Sequence, residues 1–167
     1  MTKPHAELRR ALGSFATGVT IVTARDPGDA EHAAADVGLT VNSFSSVSLE
    51  PPLVQWCIAR RAASFAAFER ASHYSVHVLA ADQQALSARF ASHGIDRFAG
   101  LELERGPAGL PLLGGCVTRF VCRIEQRYAG GDHLILLGAV EQFETSDADP
   151  LVYLRGGYRQ VLSSGAG

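Results

Sequence analysis

The chain is poor in sulfur, in charge and in long apolar runs. Its 167 residues include three cysteines, one methionine and one tryptophan, and 19% are charged. Cys57, Cys116 and Cys122 are odd in number and form no CxxC pair, which excludes a disulfide framework and a structural zinc site. Fifteen basic residues against seventeen acidic ones give a formal net charge of −2, so the chain lacks the positive excess on which non-specific nucleic-acid affinity rests. The longest clean apolar run, residues 134–140, is strand-sized and far short of the roughly 18 residues that cross a bilayer. The start, Met1-Thr2-Lys3-Pro4-His5, leads into a charged amphipathic stretch rather than a signal-peptide core. A cytoplasmic protein that binds neither nucleic acid nor membrane is expected. There is no GxGxxG, P-loop, HExxH or GxSxG pattern, which removes the main warrant for a Rossmann dehydrogenase, a P-loop NTPase, a zincin and an α/β-hydrolase. Of the six scattered histidines, only His73 and His77 have suggestive spacing. On a strand they share a face about 13 Å apart, too far to hold one ion. They read as partly exposed strand histidines, and no metal is expected.

What is present is a 47% apolar chain, enough for one core and too short for two ordinary domains. A single domain over residues 1–162 with a flexible tail at 163–167 is expected. Leu8, Ala11, Leu12 and Phe15 fall at helical spacing, so residues 7–15 read as an amphipathic helix ended near Gly18. The β-branched run 19–24 reads as a strand stopped by Asp26-Pro27-Gly28-Asp29, and a second strand is expected over 35–41. Pro51-Pro52 blocks regular structure before a buried-type strand at 53–58. Residues 62–70 read as a short helix and 74–79 as a strand. Asp82 is placed to cap a helix over 83–90. Residues 94–115 are loop-rich. Long strands are expected over 117–128 and 133–143, joined by a Gly130-Gly131-Asp132 turn, with a short strand at 150–153. Strands dominate without βαβ alternation, which predicts a mainly β fold: a split antiparallel β-barrel with peripheral α-helices.

Four segments can carry chemistry. From Gly38 to Pro52 a strand end rich in Thr, Asn and Ser lies beside apolar residues. It can hold the polar edge of a flat heteroaromatic ring, or simply connect strands with Asn42 and Ser48 in turns. From Cys57 to Phe65 a buried strand empties into Arg60, Arg61 and Ser64, which suits a phosphate or a solvated basic turn with Ser64 as an N-cap. Gly130-Gly131-Asp132-His133 places an imidazole at the start of a strand, facing a cleft or exposed on a hairpin. Arg155-Gly156-Gly157-Tyr158-Arg159 offers an aromatic beside two arginines, for stacking or for packing a terminal loop.

In this order the segments resemble the flavin reductase family with an FMN-binding split barrel, in particular the short-chain reductase components of two-component flavin monooxygenases. The resemblance runs from Leu8 to Tyr158. It rests on Phe15-Ala16-Thr17-Gly18-Val19-Thr20, the Thr40 to Pro52 segment, the Gly131-Asp132-His133 turn, and the closing Asp149-Pro150-Leu151 with Gly156-Gly157-Tyr158. It implies an NAD(P)H-dependent reductase, with NADH favoured over NADPH, on a homodimeric barrel. Reduced FAD or FMN would diffuse to a partner monooxygenase. Thr40, Val41, Asn42, Ser43, Ser46, Val47 and Ser48 would surround the isoalloxazine. Cys57, Ile58, Ala59, Arg60 and Ser64 would line the ribityl phosphate, with Phe90 and Ala91 nearby. His133, Tyr158 and Arg159 would face the nicotinamide. No side chain is assigned as catalytic, because hydride passes between the cofactors. The alternative is a non-catalytic flavin carrier or sensor on the same barrel, which would not need the Gly131-Asp132-His133 turn or Tyr158.

Overall fold

The computed structural model describes residues 3–161; the tail expected at 163–167 lies outside them. Helix α1 (Lys3–Leu12) opens the chain. It ends before the expected Phe15 because the chain turns at Gly13 and Ser14, where the Ser14 hydroxyl donates to the Ala11 carbonyl at 2.6 Å. A two-residue strand β1 (Thr17–Gly18) follows, then the hairpin of β2 (Thr20–Asp26) and β3 (Ala35–Val41). Next come β4 (Ser45–Leu49) and β5 (Pro52–Ala59), turning at Glu50 and Pro51. Helix α2 (Phe65–Arg70) is shorter than expected, and Ser64 occupies its N-cap position without a side-chain capping bond. Strand β6 (His73–Val78) leads to helix α3 (Gln84–Ala91). Asp82 does not cap that helix. It lies in a single 3-10 turn, and Gln83 instead accepts the Ala80 N–H at 3.0 Å. The loop-rich stretch contains only a small ladder of β7 (Glu104–Arg105) and β8 (Pro111–Leu112). The long hairpin β9 (Thr118–Gly130) and β10 (His133–Thr145) matches the expectation, and β11 (Val152–Leu154) and β12 (Gly157–Arg159) close the chain.

Seven strands form one antiparallel sheet in the order β3-β2-β6-β9-β10-β5-β4. Its two edges, β3 and β4, are adjacent in sequence yet not hydrogen-bonded to each other. Alternation along β5 turns Val54, Trp56 and Ile58 inward. They meet Val22 and Ala24 of β2 and Tyr74 and Val76 of β6, with Val37, Leu39 and Val41 of β3 packed alongside. Residues from opposite ends of the strand order thus share one core, so the sheet curls into a barrel split between β3 and β4. Trp56 sits at its centre, edge-on to Phe68 and Tyr74 with centroids 4.9 and 5.9 Å away. The indole Nε1 is buried without a hydrogen-bond acceptor.

A second core lies on the other face of β2. There Val19, Ile21, Leu79, Phe90, Leu113 and Leu151 pack with Tyr153 and Tyr158. Helix α3 and a small sheet ordered β1-β11-β12 cover this face. His77 belongs to this layer and is fully buried, not partly exposed as its position on a strand suggested. Its Nδ1–H donates to the Ile21 carbonyl at 3.0 Å, and its Nε2 accepts the Leu113 N–H at 3.1 Å. The second bond needs the neutral ring. Burial, with a smaller contribution from the Arg119 charge, pushes its pKa down to about 4.

Two consequences are measurable. Unfolding frees His77 to titrate near its ordinary value of about 6.5. Its native contribution is therefore complete above that pH and is lost as pH falls toward 4. The melting temperature is expected to decline over that window, and His77→Gln, which keeps a donor and an acceptor, is expected to flatten the decline; an equal slope in both proteins contradicts the assignment. Gly138 lies against the Tyr74 phenol, where an added Cβ would stand 2.7 Å from Cζ. Gly138→Ala is expected to cost about 1–3 kcal/mol by overpacking, read from urea unfolding.

Candidate functional site

Six of the seventeen expected site residues line two cavities along the free edge of β3. Thr40, Val41, Asn42, Ala91 and Tyr158 line one cavity of about 210 Å³ together with Val19, Ser87 and Tyr153. A second cavity of about 310 Å³ lies at the other end of the strand, against Asp36, Val37 and Gly38, and contains Ser64 and the loop 94–98. The remaining expected residues are placed elsewhere. Ser43 and Cys57 are locked together on β5: the Cys57 N–H donates to Ser43 Oγ at 3.0 Å. Ala59 pairs with His133, and the Arg60 N–H donates to the Asp132 carbonyl at 2.9 Å. The Arg60 guanidinium lies 5.7 Å from the centre of the Phe65 ring. Ser46, Val47 and Ser48 stand on the opposite edge strand, β4. Ile58 and Phe90 are fully buried, one in each core, so their side chains serve packing. Arg159 is exposed and bonds the Tyr158 carbonyl at 2.7 Å.

His133 and Tyr158, both expected beside the nicotinamide, do not share a cavity. The His133 Nδ1–H donates to Asp132 Oδ1 at 2.7 Å, which leaves Nε2 as the outward nitrogen of the neutral ring. The same imidazole holds the Asp132 carboxyl below its ordinary range.

Ser87 and Arg97 are among the cavity residues that were not expected. Ser87 is fully buried on α3, and its Oγ lies 2.8 Å from the Tyr158 hydroxyl. The Thr40 hydroxyl donates to the Ser87 carbonyl at 2.6 Å. Its spacing of four from Ala91 puts both on one helix face, a signal present in the sequence. Arg97 had no such signal, since nothing periodic marks its loop. Its Nε and Nη2 donate to the Ser92 carbonyl at 3.0 and 2.6 Å, and its Nη1 donates to the Gly38 carbonyl at 2.6 Å. Among the described residues no carboxylate pairs with it. Asp36, in the same cavity, is engaged by Arg25 and Arg105. Asp96 accepts the Phe98 N–H.

The Arg97 bond fixes which way β3 faces. Because the Gly38 carbonyl accepts from outside the sheet, the backbone N–H and C=O of Gly38 point to the free edge. By the two-residue alternation those of Thr40 do so too. An edge of backbone donors and acceptors thus runs between an aromatic-walled cavity and one lined by Arg97, Asp36 and Asp96, with Asp36 already paired to Arg25 and Arg105 and the Ser64 hydroxyl buried but unused as a cap. That is a donor set for a flat polar-edged ring linked to an anion.

Comparison with known proteins identifies the family. Residues 12–162 match the family described as "Flavin reductase like domain". The chain belongs to this family. It is 44% identical over 150 residues to the FMN reductase (NADH) SmoA of Agrobacterium fabrum, covering 90% of this chain and 82% of that protein. It is 41% identical over 154 residues to the flavin-dependent monooxygenase reductase subunit HsaB of Rhodococcus jostii, covering 92% of this chain and 76% of that one. The solved NADH:FAD oxidoreductase SgcE6 of Streptomyces globisporus, in complex with NAD and FAD fragments, superposes with a TM-score of 0.88 at 34% identity. That match covers 98% of this chain and 96% of the other. The expectations of a mainly β split barrel and of an NAD(P)H:flavin oxidoreductase using flavin and NADH are those of the flavin reductase family and these relatives.

A flavin reductase of this kind needs no thiol. Burial pushes Cys57 above its ordinary value, Cys116 to about 11 and Cys122 to about 12, so none is a thiolate at neutral pH. Iodoacetamide at pH 7 is expected to leave flavin reduction intact over an hour; rapid loss of turnover would mean that Cys57 is more exposed and reactive than its environment dictates.

Proposed function

We propose that the free edge of β3 binds the isoalloxazine of FMN or FAD at Thr40 and Asn42, with the flavin phosphate directed toward Ser64 and Arg97. The observation that carries this reading is the outward-facing backbone of an unpaired strand between an aromatic cavity and an unneutralised guanidinium. When bound, the flavin supplies the ring that accepts hydride from a nicotinamide. The chain's own residues then bind, orient and exclude water. The Thr40 backbone offers hydrogen bonds to the ring edge, Val41 and Ala91 give apolar cover, and Tyr158 forms the opposite wall. Arg97 holds negative charge at the far end of the groove. No acid–base pair is required, which fits an aromatic cavity without a carboxylate or imidazole in its lining.

Reduced flavin passes to a separate monooxygenase in this reading, the role named for the reductase subunit HsaB. Both cavities open to solvent along a strand edge, and such a site lets flavin exchange. A carrier without turnover would have no use for a second aromatic wall. His133 lies outside the ring cavity, so the nicotinamide is assigned to the Tyr158 side.

A homodimer belongs to the same proposal. Leu8 and Leu12 of α1 and Phe15 just beyond it are 58, 67 and 78% exposed, and Leu49 on β4 and Phe143 on β10 are 93 and 66% exposed. Phe44, Phe120 and Phe143 form a ladder with centroids 5.6 and 6.3 Å apart, leading from the core to that surface. A second copy of the chain would cover this apolar area. Among the described residues no helix is long and apolar enough to cross a membrane. A cytoplasmic location goes with the need for NADH.

The test is direct. Protein mixed with NADH and excess FMN or FAD is expected to bleach the flavin band at about 450 nm well above the protein-free rate; no acceleration with either flavin and either nicotinamide rejects the reading. Arg97→Met is expected to weaken flavin binding about tenfold, through loss of a charge-assisted phosphate contact, with a smaller change in the NADH KM.

A further inference from the structure

Tyr158 is the wall of the ring cavity with the least backbone support. Its strand, β12, has three residues and pairs only with β11, at the edge of the small sheet. The turn before it is built from Arg155 at φ 52° and Gly156 at φ 80°. Tyr153 touches the ring at a centroid distance of 5.5 Å and an interplanar angle of 70°, which restrains its position more than the direction of its hydroxyl. One polar contact ties that hydroxyl to the body of the protein: Ser87 Oγ, 2.8 Å away on α3 and fully buried. Among the described residues the Ser87 hydroxyl has no other strong partner. The backbone carbonyl of the same residue accepts the Thr40 hydroxyl at 2.6 Å. A single serine therefore holds both walls of the cavity, the β3 edge through its carbonyl and the tyrosine through its side chain.

We propose that Ser87 is a positioning residue that sets the width of the ring cavity by anchoring Tyr158 against Thr40, so that a nicotinamide fits over the flavin only when the serine hydroxyl is present. The proposal rests on reading the β3 cavity as the ring site. The Ser87 hydroxyl points at Tyr158 rather than into the cavity, so it contributes geometry, not substrate contact. A side chain that merely satisfied its own burial would bond the preceding turn of its helix, as Ser92 does by donating to the Ala88 carbonyl at 2.9 Å.

The experiment is a double-mutant cycle on steady-state flavin reduction with wild type, Ser87→Ala, Tyr158→Phe and the double variant, with melting temperatures measured alongside. Ser87→Ala is expected to raise the NADH KM about fivefold while the flavin KM changes by less than about twofold. In the Tyr158→Phe background the same substitution is expected to add less than about twofold, because its partner is already gone. Ser87→Cys, close in size and a weak donor, is expected to fall between wild type and alanine, and it serves in place of Ser87→Ala if that variant folds poorly. A cost that is equal in both backgrounds, or equal for NADH and flavin, overturns the proposal and makes Ser87 a residue of the fold. A silent Ser87→Ala beside a damaging Tyr158→Phe overturns the positioning role and leaves the ring site standing. If Tyr158→Phe is silent as well, the hydroxyl bond positions nothing and the proposal is overturned, while the ring site, whose aromatic wall phenylalanine keeps, stands or falls by the flavin-reduction assay.

Discussion

An unpaired strand edge is costly to keep, because its N–H and C=O groups invite any other extended chain to pair with them. Strand β3 retains such an edge, and the rest of the molecule is arranged around it. The barrel core fixes one face through Val37, Leu39 and Val41. Helix α3 and the 94–98 loop approach from the side, where Arg97 takes the Gly38 carbonyl and Thr40 reaches the Ser87 carbonyl. Those two bonds occupy part of the edge without sealing it. A closed barrel, with β3 joined to β4, would satisfy the same backbone groups internally and leave nothing for a cofactor to bind.

The chemistry asked of such a scaffold is modest, and the residues reflect that. Hydride transfer between two ring cofactors is governed by their spacing and by stabilisation of negative charge on the acceptor. In the proposed site, hydroxyls, backbone amides, one arginine and two tyrosines would meet those needs. The ionisable groups that are strongly perturbed serve the fold instead. His77 lies outside the cavity and bonds two backbone groups, and the Asp26–Arg70 pair ties β2 to α2 at 2.7 Å.

Much of the fold was legible because it depends on alternation. Residues 35–41 alternate and residues 53–58 form a short apolar run, and both proved to be strands with nearly the expected bounds. The long hairpin announced itself by its glycine turn. Helix ends were less legible. Asp82 has the chemistry of a cap, but a 3-10 turn and the Gln83 amide took that role. Of the small sheet only β11 was expected, at 150–153 against the observed Val152–Leu154, because strands of two and three residues leave little pattern. Among site residues, Thr40, Asn42 and Tyr158 were marked by polar or aromatic character at a strand end. Arg97 was invisible because its importance comes from the absence of a neighbouring carboxylate, a property of three-dimensional surroundings. The separation of His133 from the Tyr158 cavity was invisible for the same reason: register along β5 and β10, not residue type, put it beside Ala59.

The sheet that carries Tyr158 joins residues 17–18 to residues 152–159 and meets the seven-stranded sheet at one margin, where Val19, Leu79 and Leu151 exchange backbone hydrogen bonds. Ladders this short, closed over so great a sequence separation, form late and open early, as a cooperative unit of their own. The molecule therefore has a hinged sidewall. Its amides would lose protection from solvent exchange while the barrel amides keep theirs, and each such excursion would widen the mouth of the groove without disturbing the strand on which the ring lies.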